Sequence, residues 1–374
     1  DVQGYCQLVP QPEDDSGPSS DAELVEHFAA FARTAQPRAP LYAALSNLVA
    51  RDPVLYRLLD HAPQQQRLPV LLFASVHALL LDEPTHELAQ WYPNLTADHR
   101  SPTERALAGV FTRFVDDHRA PLEHLVATRT TQTNEVGRCA FLLPAIGLIA
   151  AEVGRIGYLD VGASGGLNLL LDRYQYRYRN EGGATTTVGA DSRVVMTCDI
   201  RGDVPIPTTL PTIGRRCGVD LNPIDVTDPT EAHWLEACVW PDQADRFHRL
   251  VQAIELARQH PPELLAGDAV MSLEPAIERI GDGSHPVVTN SWVLNYLTPE
   301  GRVAYLAELE RIGAERDVSW VYAEAPAHIP ELPNSPDPKG EHRTVLSMVR
   351  WRGGERLVDH LATVHPHGFW MQWR

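Results

Sequence analysis

The chain has 374 residues, which is enough for two domains or for one domain with a large addition. Its 49 acidic and 32 basic residues give a formal net charge of -17, which argues against general binding to nucleic acid or to an anionic membrane surface. The five cysteines are widely spaced and form no CxxC pair, a pattern typical of free thiols in a reducing compartment and not of a disulfide framework or a zinc site.

The amino-terminal part of the chain predicts helices. Residues 1–19 are polar and rich in proline and serine, so we expect a flexible tail there, and Ser20 or Asp21 can cap the helix that follows. Apolar residues then recur at helical spacing, as in "AELVEHFAAFARTA", and proline-bearing turns separate the segments. We therefore predict a helical amino-terminal domain over 20–150.

The longest apolar stretch, "FLLPAIGLIAAEVG", lies at 141–154. It is shorter than the about 18 apolar residues of a membrane span, and it contains Pro144, so we expect a buried helix. Together with the cysteine pattern, this predicts a cytoplasmic protein.

From about residue 155 the pattern changes to short apolar runs that end at polar or acidic residues, with helix-like segments between several of them. This alternation predicts an α/β domain over 151–374, with a parallel sheet and helices on both faces. Residues 172–214 interrupt it, and "YQYRYR" and "SRVVMTCDI" predict the strands of an inserted hairpin. "TVLSMVRW", "LATVHPHG" and "FWMQW" predict further strands, at least one of them at a sheet edge.

A turn of small residues follows the first predicted strand. Asp160 ends the apolar run, and Gly162, Ser164 and Gly166 lie in the turn before the next apolar segment. A glycine-rich turn lets a ligand approach the backbone, and the following helix presents free N–H groups to it. Taken alone, the cluster also fits a tight strand-helix turn without a ligand.

Polar residues also end the later predicted strands. Asp220 ends the second, where a carboxylate can accept both hydroxyls of a ribose, and Asp268 follows the third, placed for an amino group such as that of adenine. Asn290 and Trp292 lie at the end of the fourth. Since ligands of open parallel sheets sit beyond the carboxyl ends of the strands, this series predicts a nucleoside-type ligand.

The order of these acids resembles that of class I S-adenosylmethionine-dependent methyltransferases, over about residues 155–374. The family's first motif has the form acid-x-Gly-x-Gly-x-Gly, and acids end its second and third strands. The matching positions are Asp160, Gly162, Ser164 in place of the middle glycine, Gly166, Asp220, Asp268 and its neighbour Ala269. The resemblance implies a Rossmann-like sheet, S-adenosylmethionine as cofactor and methyl transfer as the reaction.

The spacing of the second acid departs from the usual pattern. That acid normally follows the glycine turn by about 20 residues, whereas Asp220 follows Gly166 at a much greater distance. The 172–214 insertion must therefore be looped out, and Asp191 in "VGADSRV" is the competing acid. The segment "RRCGV" leads into Asp220 as a buried strand should, which favours Asp220.

The segment "TRTTQTNEVGRCAFLLP" joins the two predicted domains. On a helix Arg138 would reach Asn134 and Glu135, so helix capping with an internal ion pair is one interpretation. The other is that Arg138 binds the methionine carboxylate and that Gln132 or Asn134 lines the same pocket, because an arginine fork suits a carboxylate. The whole chain is also similar to an uncharacterised actinobacterial family that has "TQTNEVGR" and a carboxyl-terminal "HPHG".

Methyl transfer to a hydroxyl requires alignment of the reactants and an acceptor for the proton. Glu324 and His328 follow the fifth strand in "YAEAPAH", and either can act as general base, while Tyr296 follows the fourth strand. A loop ion pair, a surface histidine and a helix start are the structural alternatives. His365 and His367 predict turn and edge packing, because two histidines do not complete a zinc site.

We therefore predict an S-adenosylmethionine-dependent methyltransferase whose acceptor is a small molecule, with a sugar hydroxyl or a related metabolite as one option. The alternatives are an NAD-type dinucleotide-dependent oxidoreductase and a non-catalytic nucleoside-binding regulatory protein. Neither a metal, nor a membrane, nor nucleic acid is an expected partner. A homo-oligomer is compatible with the sequence.

Overall fold

The computed structural model describes residues 19–281, 283–333 and 343–374, so the predicted tail lies almost entirely outside the described residues. The chain forms two compact units. The first contains the described residues up to Thr133 together with Pro229–Val251, and the second contains Asn134–Asp228 and Gln252–Arg374. The division differs from the predicted boundary at residue 150, because the apolar helix before that residue packs against strands of the sheet.

Several helices begin at a proline or at a polar cap. Ser20 caps the first helix, since its hydroxyl accepts a hydrogen bond from the backbone N–H of Glu23 at 3.2 Å. In chain order the helices are α1 (Asp21–Ala35), α2 (Pro40–Val49), α3 (Pro53–Tyr56), α4 (Pro69–Asp82), α5 (Ala106–Asp117), α6 (Arg119–Thr128), α7 (Cys139–Val153), α8 (Pro229–Ala237), α9 (Ala244–Gln259), α10 (Leu273–Ile280) and α11 (Pro299–Glu315).

The first unit is helical. Its core is apolar and includes the buried rings of Phe28, Tyr42, Phe73 and Trp91. Although α8 follows the first strands of the sheet in the chain, it packs against α4 in this unit. The sequence pattern therefore predicted that the first unit is helical, but it did not predict that α8 belongs to this unit.

The second unit contains the sheet. Its strands are β1 (Ile156–Val161), β2 (Gln175–Asn180), β3 (Thr185–Val188), β4 (Val195–Arg201), β5 (Ile213–Asp220), β6 (Leu264–Ala266), β7 (His285–Ser291), β8 (Val318–Glu324), β9 (Thr344–Arg352), β10 (Glu355–Val364) and β11 (Trp370–Trp373). They form one sheet in the order β3-β2-β4-β11-β10-β9-β8-β7-β1-β5-β6. The run from β6 to β8 is parallel, whereas β9 and β10 continue it antiparallel. The predicted α/β fold is confirmed.

The inserted segment adds strands to the far edge of this sheet. Both predicted strands form, as β2 and β4, but they lie parallel to each other. The antiparallel hairpin partner of β2 is β3, and β4 joins the sheet through β11. The sequence did not predict β3, because its three threonines are exposed and it has no apolar run.

Together, α7 and the turn before it form a longer apolar segment than the stretch 141–154 that the sequence analysis identified. Val136–Arg138 forms a 3₁₀ turn that continues directly into α7, and Val136–Val153 is long and apolar enough to cross a membrane by length and composition alone. However, 67% of this window is buried, and α7 packs against β4, β8 and β9. This burial is typical of the core helix of a soluble protein.

Candidate functional site

The candidate site lies at the carboxyl ends of β1, β5 and β7. Because these strands are parallel, their carboxyl ends meet at one edge of the sheet. β5 and β7 lie on opposite sides of β1, so the strand order reverses there. In open α/β sheets this is the place where ligands bind.

The glycine turn after β1 is tied to the end of β5. The N–H groups of Gly162 and Ala163 donate to the carbonyl oxygen of Val219 at 2.8 and 3.1 Å. Gly162 has a φ of +74°, and a Cβ atom there would lie 2.3 Å from Cγ2 of Val293, so the position requires glycine. Ser164 and Gly166 also have positive φ, and Ser164 is buried. The structure therefore places the predicted turn residues in one compact loop.

Asp220 is half-buried and holds this loop. Its Oδ2 accepts a hydrogen bond from Ser164 N at 2.8 Å, and its Oδ1 accepts one from Asn222 N at 2.9 Å. A carboxylate has further acceptor positions on both oxygens, so it can still bind hydroxyl groups. Asp191, the competing acid, is exposed in the loop between β3 and β4. These strands lie near the opposite edge of the sheet from β5.

Asp268 is exposed just beyond β6. Its Oδ1 accepts hydrogen bonds from Val270 N at 2.8 Å and from Met271 N at 3.1 Å, so it caps the turn that contains Ala269 and leads towards α10. Its place at the carboxyl edge is the one that the sequence predicted. The contacts show a capping role, and the predicted contact with an amino group stays a prediction.

Asp160 is a buried carboxylate at the end of β1, 3% exposed. Its Oδ1 accepts a hydrogen bond from Thr289 Oγ1 of β7 at 2.8 Å. Burial raises the pKa of Asp160 to about 7, although the Thr289 hydrogen bond and the charge of Arg138 lower it. At neutral pH the carboxyl group of Asp160 is therefore close to half protonated.

Glu324 is a second buried carboxylate, at the end of β8. Its Oε1 accepts hydrogen bonds from Asn290 Nδ2 at 2.7 Å, from Val293 N at 2.9 Å and from Leu294 N at 3.4 Å. Among the described residues its Oε2 has no hydrogen-bond partner. Burial raises the pKa of Glu324 to about 7, against the effects of these donors and of Arg138. The loop ion pair considered for Glu324 is wrong, because β8 continues through this residue.

Asn290 joins the two strand ends. Besides donating to Glu324, its Oδ1 accepts hydrogen bonds from Trp320 Nε1 at 2.5 Å and from Tyr305 OH at 3.5 Å. Asn290 is fully buried. These three hydrogen bonds all join Asn290 to buried side chains of the second unit, and the bond to Glu324 fixes the position of that carboxylate.

Arg138 and Asn134 contact the strand ends, but not from one helix. The 3₁₀ turn begins only at Val136, and Asn134 Oδ1 accepts a hydrogen bond from Leu167 N, directly after the glycine turn, at 3.1 Å. Arg138 is buried and donates from Nη1 to the carbonyl oxygen of Ser291 at 2.7 Å and from Nε to that of Pro366 at 3.1 Å. The first interpretation, in which these two residues lie on one helix, is wrong, because the chain is extended at residue 135.

Gln132 and Glu135 have other contacts than the sequence suggested. Gln132 belongs to the first unit, where its N–H donates to Cys238 Sγ at 3.5 Å. Its predicted place in a pocket with Arg138 stays a prediction. Glu135 Oε1 caps the 3₁₀ turn by accepting from Gly137 N at 2.9 Å, and Oε2 lies 3.1 Å from Nδ1 of His367.

Three further candidates lie near the ends of β7 and β8. Trp292 is buried, has a positive φ of 57° and donates its indole N–H to Thr344 Oγ1 at 3.1 Å, so it packs within the fold. Tyr296 is 59% exposed in the turn after β7. His328 ends the 3₁₀ turn Pro326–His328, and its side chain lies outside the described part of the chain.

The turn that contains His365 and His367 packs against this region. His365 Nδ1 accepts a hydrogen bond from His367 N at 3.1 Å, and the His365 ring stacks on Phe369 with a centroid distance of 4.6 Å. His367 is buried against Glu135. The predicted turn packing is confirmed, whereas the predicted edge packing is wrong, because β10 and β11, the strands before and after this turn, lie inside the sheet.

Sequence reasoning missed Thr289 and the contact between Glu135 and His367. Thr289 directly precedes the predicted Asn290, and its register opposite Asp160 follows only from the pairing of β1 with β7. Nothing in a single sequence links Glu135 with His367, because one lies near the beginning and the other near the end of the sequence of the second unit.

Comparison with known proteins identifies a family but no activity. The model of a family described as "Uncharacterized protein conserved in bacteria (DUF2332)" matches residues 25–373. No curated protein and no solved structure matches the chain.

Proposed function

The chain belongs to this family of uncharacterized bacterial proteins, and we propose that it is an S-adenosylmethionine-dependent methyltransferase with a small-molecule acceptor. The observation that carries the proposal is the 2.8 Å hydrogen bond between Ser164 N and Asp220 Oδ2. It sets the acid that ends β5 against the glycine turn that ends β1, which is the arrangement of a nucleoside site at the carboxyl edge of a parallel sheet.

The strand order supports a Rossmann-like fold. When the inserted strands β2 to β4 are left out, the order β6-β5-β1-β7-β8 has the third, second, first, fourth and fifth strands side by side. Doubly wound nucleotide-binding sheets have this order, and their ligands lie where it reverses. In this sheet the order reverses between β1 and β7, next to the glycine turn.

The residues present fit the nucleoside part of the cofactor better than its amino-acid part. Asp220 keeps acceptor positions for ribose hydroxyls, and the exposed Asp268 can receive an amino group. Arg138 already donates to two backbone carbonyls, so we assign it to holding the end of β7 and not to a carboxylate fork. S-adenosylmethionine itself supplies an activated methyl group.

Glu324 is the best placed of the predicted proton acceptors. A hydroxyl that receives a methyl group must lose its proton, and a carboxylate with a pKa of about 7 can accept it at neutral pH. Oε1 is engaged by the turn after β7, which leaves Oε2 for the proton. Tyr296 is exposed, and its phenol is a weaker candidate. The sugar-type acceptor and the cytoplasmic location stay predictions from the sequence.

Calorimetric titration with S-adenosylmethionine and S-adenosylhomocysteine tests the proposal, with NAD as the comparison ligand. We expect saturable binding of the first two, weakened about tenfold or more in D220N, because the amide has one acceptor oxygen fewer for a ribose diol. The matched control is D191N, the same change at the competing acid, for which wild-type affinity is expected. Thermal unfolding of both variants establishes that they fold.

The other outcomes separate the alternatives. Binding of NAD alone would replace the methyltransferase by a dinucleotide-dependent oxidoreductase. Binding of S-adenosylhomocysteine without methyl transfer to any acceptor, together with wild-type affinity in E324Q, would favour a nucleoside-binding regulatory protein. Absence of all binding by the folded protein would contradict the proposal.

A further inference from the structure

Trp320, Tyr322 and Glu324 lie on one face of β8, because alternate residues of a strand point to the same side of the sheet. All three side chains are buried. Asn290 of β7 pairs in register with Tyr322, so its side chain lies on the same face, between those of Trp320 and Glu324. A single amide group is thereby placed within reach of both.

The indole of Trp320 determines which end of this amide faces Glu324. An indole N–H can donate a hydrogen bond but cannot accept one. Because Nε1 of Trp320 lies 2.5 Å from the Asn290 amide, the amide atom beside it must be the acceptor Oδ1. Nδ2 then faces Glu324 and donates to Oε1 at 2.7 Å. The orientation of Asn290 therefore follows from Trp320 and does not depend on the protonation of Glu324.

Packing fixes the ring of Trp320. Its centroid lies 4.4 Å from that of Tyr322 and 6.2 Å from that of Tyr305 in α11. Tyr305 OH also donates to Asn290 Oδ1, at 3.5 Å. If the amide turned around, the indole N–H would face the donor Nδ2, and a buried donor that loses its acceptor is costly. The aromatic packing thus holds the amide in one orientation.

This orientation favours the ionised form of Glu324. Asn290 Nδ2 donates to Oε1, as do the backbone N–H groups of Val293 and Leu294. Such donors stabilise a carboxylate, whereas a protonated carboxyl group is stabilised by an acceptor. They lower the pKa of Glu324 against burial, which raises it to about 7.

Other titratable or charged groups around Glu324 come from separate elements. Arg138, in the turn before α7, has a charge that lowers the pKa of Glu324. Burial raises the pKa of the phenols of Tyr305 and Tyr322, so both are neutral at pH 7. Asp160 of β1 acts on the pKa of Tyr305, as Glu324 does. Since the pKa of Asp160 is also about 7, its titration has to be separated from that of Glu324.

We propose that Trp320 is a positioning residue for Glu324, because it orients the Asn290 amide so that Glu324 is held as a hydrogen-bond acceptor. A group that takes a proton from a hydroxyl must itself be ionised first, so this orientation serves the proton transfer. The use of Glu324 in methyl transfer rests on the proposed function. The coupling of Trp320 to Glu324 through Asn290 does not.

The indole N–H signal of Trp320 in a ¹H–¹⁵N NMR spectrum tests the coupling in the unchanged side-chain network. Its chemical shift should follow the ionisation of Glu324, with a midpoint near pH 7. This transition should be absent in Glu324→Gln and should remain in Asp160→Asn. The indole signal of Trp351 is the reference that should not follow it. A Trp320 signal that keeps its transition in E324Q, or has none in the wild type, would overturn the proposal.

The carboxyl ¹³C signal of Glu324, identified by its absence from E324Q, tests the orientation. Trp320→Phe keeps an aromatic ring and removes the indole N–H, so the Asn290 amide can turn and accept from protonated Glu324. We expect the pKa of Glu324 to rise from about 7 to about 8 or higher. Trp351→Phe is the matched control, because Trp351 is also buried in the second unit and donates its indole N–H to Glu310. In W351F the pKa of Glu324 should keep its wild-type value.

Every result of this pair of measurements decides the matter. The proposal is overturned if the pKa of Glu324 in W320F is unchanged or lower, or if W351F raises it equally. If W320F does not fold, the indole titration of the wild type and E324Q decides alone. Neither measurement uses S-adenosylmethionine or an acceptor, so failure of the coupling and failure of methyl transfer are separate results.

Discussion

Oε2 of Glu135 lies 3.1 Å from Nδ1 of His367, and both side chains are buried. The neighbouring Arg138 donates to the carbonyl oxygen of Pro366, so the two segments touch at several points. On the other side, Arg138 donates to Ser291 at the end of β7. The segment around Glu135 and the histidine turn therefore form one structural element, and this element supports the candidate site.

Glu135→Gln should destabilise the protein, because it removes the negative charge that faces His367. We expect the free energy of unfolding to fall by about 1 to 3 kcal/mol, as measured by urea denaturation. Glu355→Gln is the control, since Glu355 is exposed at the start of β10 and should change stability by less than about 0.5 kcal/mol. Equal stabilities of the two variants would show that the contact with His367 contributes nothing.

Gly368→Ala should be more destabilising than the same change at Gly353. A Cβ atom on Gly368 would lie 1.9 Å from the carbonyl oxygen of Gly137, so the histidine turn would have to move away from the Glu135 segment. Gly353 also has a positive φ, but a Cβ atom there meets nothing within 4 Å. We expect about 1 kcal/mol for G353A from backbone strain alone and at least about 2 kcal/mol more for G368A. If urea denaturation gave the same loss of unfolding free energy for G368A and G353A, the histidine turn would be able to move away from Gly137 at no energetic cost.

Local patterns predicted the elements whose evidence lies within a few residues. Helical spacing of apolar side chains predicted α1, and Ser20 caps it as expected. The apolar run that ends at Asp160 predicted β1, and the glycines after it predicted the turn, because a short apolar run bounded by glycines is typical of a buried strand that ends in a turn. The choice of Asp220 over Asp191 as the acid beside this turn also agrees with the sheet order.

The features that sequence analysis missed depend on contacts between distant residues. Arg138 has backbone carbonyls as partners, and the sequence carries no signal for them. Glu324 has the composition of a solvated loop residue, yet it is the buried last residue of β8 because the strand is one residue longer than its apolar run. β3 has no apolar pattern, since it is an exposed edge strand that pairs only with β2.

Glu324→Gln should change how stability depends on pH. The folded protein holds the Glu324 proton up to a pKa of about 7, whereas the unfolded chain releases it near its ordinary value of 4.5. Between these two values a rise in pH favours the unfolded state, so wild-type stability falls across this window and levels off above it. The shift corresponds to at most about 3 kcal/mol.

Glutamine carries no such proton, so E324Q should gain stability relative to the wild type between about pH 5 and about pH 8. Urea denaturation at several pH values measures this difference, and E355Q should follow the wild type. If the difference between E324Q and the wild type were the same at every pH, the side chain of Glu324 would not titrate in this range.

Arg138→Met should be more harmful at high pH than at low pH. The charge of Arg138 lowers the pKa values of both Asp160 and Glu324, so its removal moves both pKa values further upward. The window in which stability falls then extends to higher pH, and the loss of the two hydrogen bonds to backbone carbonyls adds a destabilisation that does not depend on pH. Urea denaturation at about pH 5.5 and about pH 8 should show the larger deficit at the higher value, while R33M, at an exposed ion pair, shows little at either. A deficit of equal size at both pH values would mean that Arg138 acts through its hydrogen bonds alone and leaves the two carboxyl groups unaffected.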